Sequence, residues 1–158
     1  RSFMKKFVWD TSAIVNIKEP NNQGYSPGHS LFKDLSDGWI PGPYQNIFPA
    51  IAPFEIDATV SKMHRKGKQI LREFYLMNEQ ALIYPIDVAL IHKSAPLVEL
   101  DGFNRLHGAD LVYACIAHIE GAFLVTMDNH FQAVADQVQV INLNESRSTP
   151  KYRELFRT

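Results

Sequence analysis

The chain carries one cysteine, Cys115, in 158 residues. It can form no intrachain disulfide and cannot build a cysteine zinc cluster, which fits a reducing compartment. Set inside "LVYACIAHI", Cys115 is expected to be a small core residue. Long apolar runs are missing too: no stretch approaches the roughly 20 residues needed to span a bilayer. The opening residues lack the charged start, apolar middle and small-residue cleavage site of a signal peptide. These absences predict a soluble, cytoplasmic protein. Charge of one sign is also missing, with 16 basic residues against 17 acidic ones and a net charge of -1. No overall field recruits nucleic acid or an anionic membrane, so any polyanionic partner must be held by a local patch. Internal repeats and low-complexity tracts are absent.

At 46% hydrophobic, the chain is long enough to bury one core, and a single domain over 1–158 is expected. Three short segments are apolar at consecutive positions and end in aspartate: "KKFVWD" at Asp10, "ALIYPID" at Asp87 and "AFLVTMD" at Asp128. "VQVINL" makes a fourth strand, and a fifth is expected around Ile47 to Ala52, with limits blurred by Pro49 and Pro53. Consecutive apolar positions predict strands covered on both faces, the habit of parallel sheets. Helical patterns lie between them, at Ser30 to Leu35, Pro53 to Lys66, Lys68 to Asn78, Val88 to Leu100, Ala109 to Ile119 and Asn129 to Ala135. Alternating strands and helices predict an α/β fold. Residues 21–43, rich in Gly, Pro, Asn and Ser, are expected to form a surface excursion broken by one helix, and residues 144–158 a C-terminal tail. Trp9 and Phe131 are expected in the core.

In open α/β sheets, ligands bind beyond the carboxyl ends of the strands. Asp10 and Asp128 close apolar strands and should meet at that edge. Asp110 opens "ADLVYACIAHI", where the helix dipole favours negative charge, and Glu55 stands in the first turns of "PFEIDATVSKMHRK". Asp57, two positions on, points to another side of the same helix, so only one of the pair can face the site. Two unit charges about 4 Å apart repel by roughly 4 kcal/mol at an effective dielectric near 20. A converging set therefore needs protons or a cation. Oxygen ligands without cysteine or paired histidines select Mg²⁺ or Mn²⁺ over zinc, and such a centre suits phosphodiester hydrolysis. Simpler roles compete: Asp128 and Asp87 as helix N-caps, and His107 and His130 as ordinary histidines. Lys62 and Lys66 fall near the line of Glu55 on the same helix, and with Arg65 they offer a basic path for a phosphate backbone. Solvated lysines and arginine are the alternative there.

"FVWDTSAIV", "FEID", "LHGADLVYACIA" and "FLVTMDNHF", in this order and spacing, resemble the PIN-domain nucleases, especially the VapC-type toxins of bacterial and archaeal toxin–antitoxin pairs. The resemblance spans about residues 5 to 143. It implies a three-layer α/β/α fold around a parallel sheet of four or five strands. It further implies Mg²⁺- or Mn²⁺-dependent endonucleolytic cleavage of RNA that leaves a 5′-phosphate and a 3′-hydroxyl, homodimers, and an antitoxin partner that blocks the site. Carried over position by position, the metal-site acids are Asp10, Glu55, Asp110 and Asp128. Ser12 and Thr126 match hydroxyls expected to orient carboxylates or water, and Asn129 is expected to help hold water or substrate. Three other readings stay open. One is a PIN nuclease that processes RNA outside any toxin pair, and another a PIN-like scaffold that binds RNA or protein without cutting. The third is a phosphotransfer enzyme or receiver with Asp10 as nucleophile, although "DTS" lacks the second aspartate that the haloacid-dehalogenase phosphatases carry.

Overall fold

The computed structural model describes residues 3–18, 26–65 and 81–157; the side chains at 59, 60 and 63–65 lie outside that description. Its centre is a strand whose last three residues are wholly buried. Phe7, Val8 and Trp9 of β1 (Lys5–Trp9) are each 0% exposed, which a strand achieves only when both faces are covered. β1 pairs in parallel with β2 (Tyr44–Pro49) on one side and β4 (Phe123–Thr126) on the other. β3 (Ala81–Tyr84) and β5 (Val140–Asn142) complete a five-stranded parallel sheet in the order β3-β2-β1-β4-β5. The α/β expectation and its parallel sheet hold.

Alternation of side chains sorts the core onto two faces. Val8 lies beside Ile47 and Leu124, and this row meets Tyr113, Ala114 and Ala117 of helix α5 (Gly108–Glu120). Trp9 lies beside Val125, and Val125 beside Ile141, facing Ile14 and Ile17 of helix α1 (Thr11–Lys18). Helices α2 (Pro27–Ser36) and α3 (Ala52–Arg65) bury Leu31, Leu35 and Ile56 on the α1 side, whereas α4 (Val88–Ser94) buries Leu90 on the α5 side. Three layers result. Each buried valine, leucine or isoleucine among these contributes on the order of 2 kcal/mol.

Several expectations need correction. α1 was not legible as a helix, because "TSAIVNIK" is short and rich in β-branched residues. It forms because Asp10 caps it: the Asp10 carboxylate accepts the Ala13 N–H at 2.9 Å, and its carbonyl accepts the Ile14 N–H at 3.0 Å. The stretch expected as a surface excursion is structural from Ser26 onward. Ser26 accepts the His29 N–H, Pro27 sets the first turn, and Leu31 and Leu35, one helical turn apart, are 0% and 2% exposed. β3 is not covered on both faces, since it forms the sheet edge and leaves Leu82 40% and Ile83 44% exposed. It also ends at Tyr84, and Asp87 caps α4 instead by accepting the Leu90 N–H at 2.9 Å. α4 stops at Ser94 rather than Leu100, ahead of Pro96, which has no amide to donate. The helix expected at Lys68 to Asn78 lies outside the described residues.

The tail is also part of the fold. A 3₁₀ helix, Lys151–Phe156, buries Tyr152, whose hydroxyl donates to Asp34 Oδ2 at 2.5 Å. Arg153 grips the same carboxylate through two contacts of 2.8 Å and lies 4.6 Å from the Trp39 ring centroid. Phe156 packs on Phe7 and Phe123.

Candidate active site

Strand order reverses across β1, which leads to β2 and β3 on one side and to β4 and β5 on the other. A crevice beyond the carboxyl ends of β1 and β4 is the place such a sheet offers a ligand. A cavity of about 410 Å³ lies there, lined by Asp10, Thr11, Ser12, Val15, Glu55, Asp110, Tyr113 and Asp128. The four carboxylates singled out in the sequence all border it. Asp57 is exposed and Glu55 lines the cavity, so the helix presents the latter.

Asp10 is 4% exposed and sits under three donors. Ser12 Oγ donates to Oδ1 at 2.7 Å, the Ala13 N–H to the same oxygen at 2.9 Å, and Thr126 Oγ1 to Oδ2 at 2.5 Å. Both hydroxyls also accept backbone N–H groups of the turn after β4: Met127 to Ser12 at 3.0 Å and Asp128 to Thr126 at 2.8 Å. Ser12 and Thr126 thus join the two strand ends through the carboxylate. Burial nevertheless dominates and pushes the Asp10 carboxyl up to about 6; the hydrogen bonds from Thr126, Ala13 and Ser12 oppose this, and the Asp110 charge adds to it.

Glu55 projects from the first turn of α3, where the helix dipole favours a carboxylate. Thr11 Oγ1 donates to its Oε1 at 2.6 Å, and the Tyr113 hydroxyl donates to the same oxygen at 2.7 Å. The two hydroxyl oxygens are 2.8 Å apart, closing a triangle between β1's end, α3 and α5. Burial and the Glu55 carboxylate raise the Tyr113 phenol, which keeps it a donor.

Asp110 and Asp128 are half-buried and face each other near His130. His130 Nδ1 stands 3.2 Å from Asp128 Oδ1 and 3.6 Å from Asp110 Oδ2. Ligand atoms from these three residues all lie within 4.8 Å of one another. Burial and the Asp128 charge raise the Asp110 carboxyl, against the hydrogen bond and charge of His130. Asp128 also caps the 3₁₀ helix Asn129–Val134, accepting the His130 N–H at 2.9 Å, so its simpler role and its place at the cavity coexist.

The chain shares its fold with a VapBC2 chain. One chain of the crystal structure of VapBC2 from Rickettsia felis bound to a DNA fragment from their promoter superposes with a TM-score of 0.59. The match covers 86% of this chain and 97% of that one at 17% sequence identity, a likeness of fold. No family model and no curated protein matches the chain.

Asn129, Lys62 and His107 are not among the residues that line the cavity. Asn129 is exposed, and its side-chain oxygen Oδ1 accepts from Asn142 Nδ2 at 2.7 Å, which ties the turn after β4 to β5. Lys62 is exposed on α3, the Arg65 side chain is not described, and Lys66 lies outside the described residues. His107 heads α5 without capping it. Cys115, Trp9 and Phe131 are core, as expected. Thr11 and Tyr113 were missed. Tyr113 reads as one more apolar residue in "LVYACIA", yet its spacing of three from Asp110 places both on one helix face, a signal that was there to use.

No described helix is long and apolar enough to cross a membrane.

Proposed function

We propose that this protein is a Mg²⁺- or Mn²⁺-dependent endoribonuclease of the PIN type, with Asp10, Glu55, Asp110 and Asp128 as its metal-site acids. The observation that carries the reading is the convergence of four carboxylates from β1, α3, α5 and the turn after β4 on one cavity. Their mutual repulsion is unfavourable unless protons or a cation relieve it, and a cation does so without giving up the charged ligands. The donor set fits such an ion: Asp110, Asp128 and His130 offer ligand atoms within 4.8 Å of each other, and the Asp10 carboxylate keeps acceptor capacity beyond its three donors. A single imidazole among oxygens suits Mn²⁺ somewhat better than Mg²⁺. When bound, a hard divalent ion supplies Lewis acidity toward phosphate oxygens and toward water.

The chain's own residues prepare the site. Ser12 and Thr126 hold Asp10 in one rotamer and tie the Asp128 backbone to it. Thr11 and Tyr113 hold Glu55. Asp110 stays in the first turn of α5, where the dipole offsets part of the crowding. Basic side chains at Lys62, Arg65 and Lys66 would guide the phosphate backbone of single-stranded RNA toward this edge. A second copy of the chain and an antitoxin that covers the cavity are the protein partners the VapC-type resemblance implies.

The test is cleavage of end-labelled RNA and of single-stranded DNA of the same sequence, with EDTA, Mg²⁺ or Mn²⁺. RNA should be cut only with metal, leaving 5′-phosphate ends, and Asp110→Asn should abolish both cutting and calorimetric Mn²⁺ binding. Cleavage that persists in EDTA, or an Asp110→Asn protein that still binds Mn²⁺ with wild-type affinity, would overturn the proposal.

A further inference from the structure

We infer that Tyr113 and Thr11 are positioning residues that preset Glu55 for the metal, a role that rests on the reading of the cavity as a metal site. Glu55 is the acid with the longest side chain of the four, and it comes from a helix start that also presents Asp57 two positions on. An unrestrained glutamate there would sample several rotamers, and holding one of them for an ion costs side-chain entropy at binding. The structure meets that cost in advance. Two hydroxyls from different parts of the fold donate to the same oxygen, Thr11 Oγ1 to Oε1 at 2.6 Å and Tyr113 to Oε1 at 2.7 Å.

Both donors are themselves fixed. Tyr113 is 1% exposed and packed among Val8, Ile47 and Leu124, so its ring cannot swing, and Thr11 opens α1 directly after the Asp10 cap. Tyr113 also sits three residues after Asp110 on α5. One helix therefore carries an acid of the site and the donor that sets the opposite acid, and any shift of α5 moves the two together. A tyrosine that served only packing would not need its hydroxyl, and phenylalanine would fill the same space. The hydroxyl is the informative atom, since donors to an ionised carboxylate form short, strong hydrogen bonds that fix orientation.

The experiment is a double-mutant cycle on Mn²⁺ affinity, measured by calorimetry on the intact chain, with thermal stability followed in EDTA. Tyr113→Phe should weaken Mn²⁺ binding about tenfold, equivalent to about 1.4 kcal/mol, and in a Glu55→Gln background it should change the affinity less than twofold. Thr11→Val should behave like Tyr113→Phe, and Thr11→Ser, which keeps the hydroxyl, should restore binding. Tyr152→Phe removes a comparable hydroxyl-to-carboxylate bond between two residues that do not line the cavity and should leave Mn²⁺ affinity unchanged. Equal losses from Tyr113→Phe with and without Glu55, or wild-type affinity in both Tyr113→Phe and Thr11→Val, would overturn the inference while leaving the metal site standing. Wild-type protein that binds no Mn²⁺ would instead overturn the metal reading itself.

Discussion

Asp10→Asn in the metal-free protein tests the physical core of the site. The carboxyl is raised from 3.8 to about 6, chiefly by burial, so the folded state holds a proton that the unfolded state has already released. Between those two values the native protein binds more protons than the unfolded chain, and stability falls as pH rises through the window. The rise covers roughly two pH units at about 1.4 kcal/mol each, or about 3 kcal/mol lost by pH 7.5. Asparagine is nearly isosteric and carries no charge. Its carbonyl can keep the Ser12 and Ala13 donors, but its amide faces Thr126 Oγ1, whose proton must then turn elsewhere, at a cost of about 1 kcal/mol. Urea denaturation in EDTA, followed by tryptophan fluorescence, should therefore show a crossover. Asp10→Asn should be about 1 kcal/mol less stable than wild type at pH 4 and about 2 kcal/mol more stable at pH 7.5. Mn²⁺ at a hundredfold excess over its Kd should add about 2.7 kcal/mol to the wild type and nothing to the variant. A stability difference that does not change with pH, or a variant that is less stable at both ends, would refute the reasoning.

Three further outcomes are expected. Arg153→Ala leaves the buried Asp34 carboxylate held by the Tyr152 hydroxyl without the guanidinium and should cost about 2 kcal/mol in urea denaturation, with Mn²⁺ affinity unchanged because no residue of the tail lines the cavity. Gly102→Ala should cost about 3 kcal/mol or more in thermal denaturation: its φ is +92°, and a Cβ there would stand 1.9 Å from the Ala133 carbonyl oxygen, in the 3₁₀ helix that follows Asp128. Changing Lys62, Arg65 and Lys66 together to Ala should lower the slope of log affinity for single-stranded RNA against log salt by about 0.7 per lost phosphate contact, with Mn²⁺ binding intact; an unchanged slope would remove these three residues from RNA binding.

Asp10, Asp110 and Asp128 were legible because position along a strand or helix, which local sequence does encode, decides which edge of a parallel sheet a side chain reaches. Each stands where an apolar segment ends or a helix begins, and β/α alternation sends all such places to one edge. Glu55 against Asp57 was not legible, because a shift of two residues in the start of α3 exchanges them, and helix starts are set by contacts outside the helix. α1 escaped notice for a related reason. Its stability comes from the Asp10 cap and from burial of Ala13, Ile14 and Ile17 against the sheet rather than from the propensities of its own residues.

The amino-acid order alone settled the α/β class and the acids that follow β1 and β4, since these follow from periodicity and from the free energy of burying consecutive apolar residues. Only the folded chain decided which hydroxyls attend which acid. Thr11 reaches Glu55 across 44 positions and Tyr113 across 58, while Thr126 reaches Asp10 across 116, distances along the chain at which no local pattern carries information. Hydrogen bonds act over about 3 Å, so partners this remote in sequence become neighbours only when sheet order and helix packing bring them together.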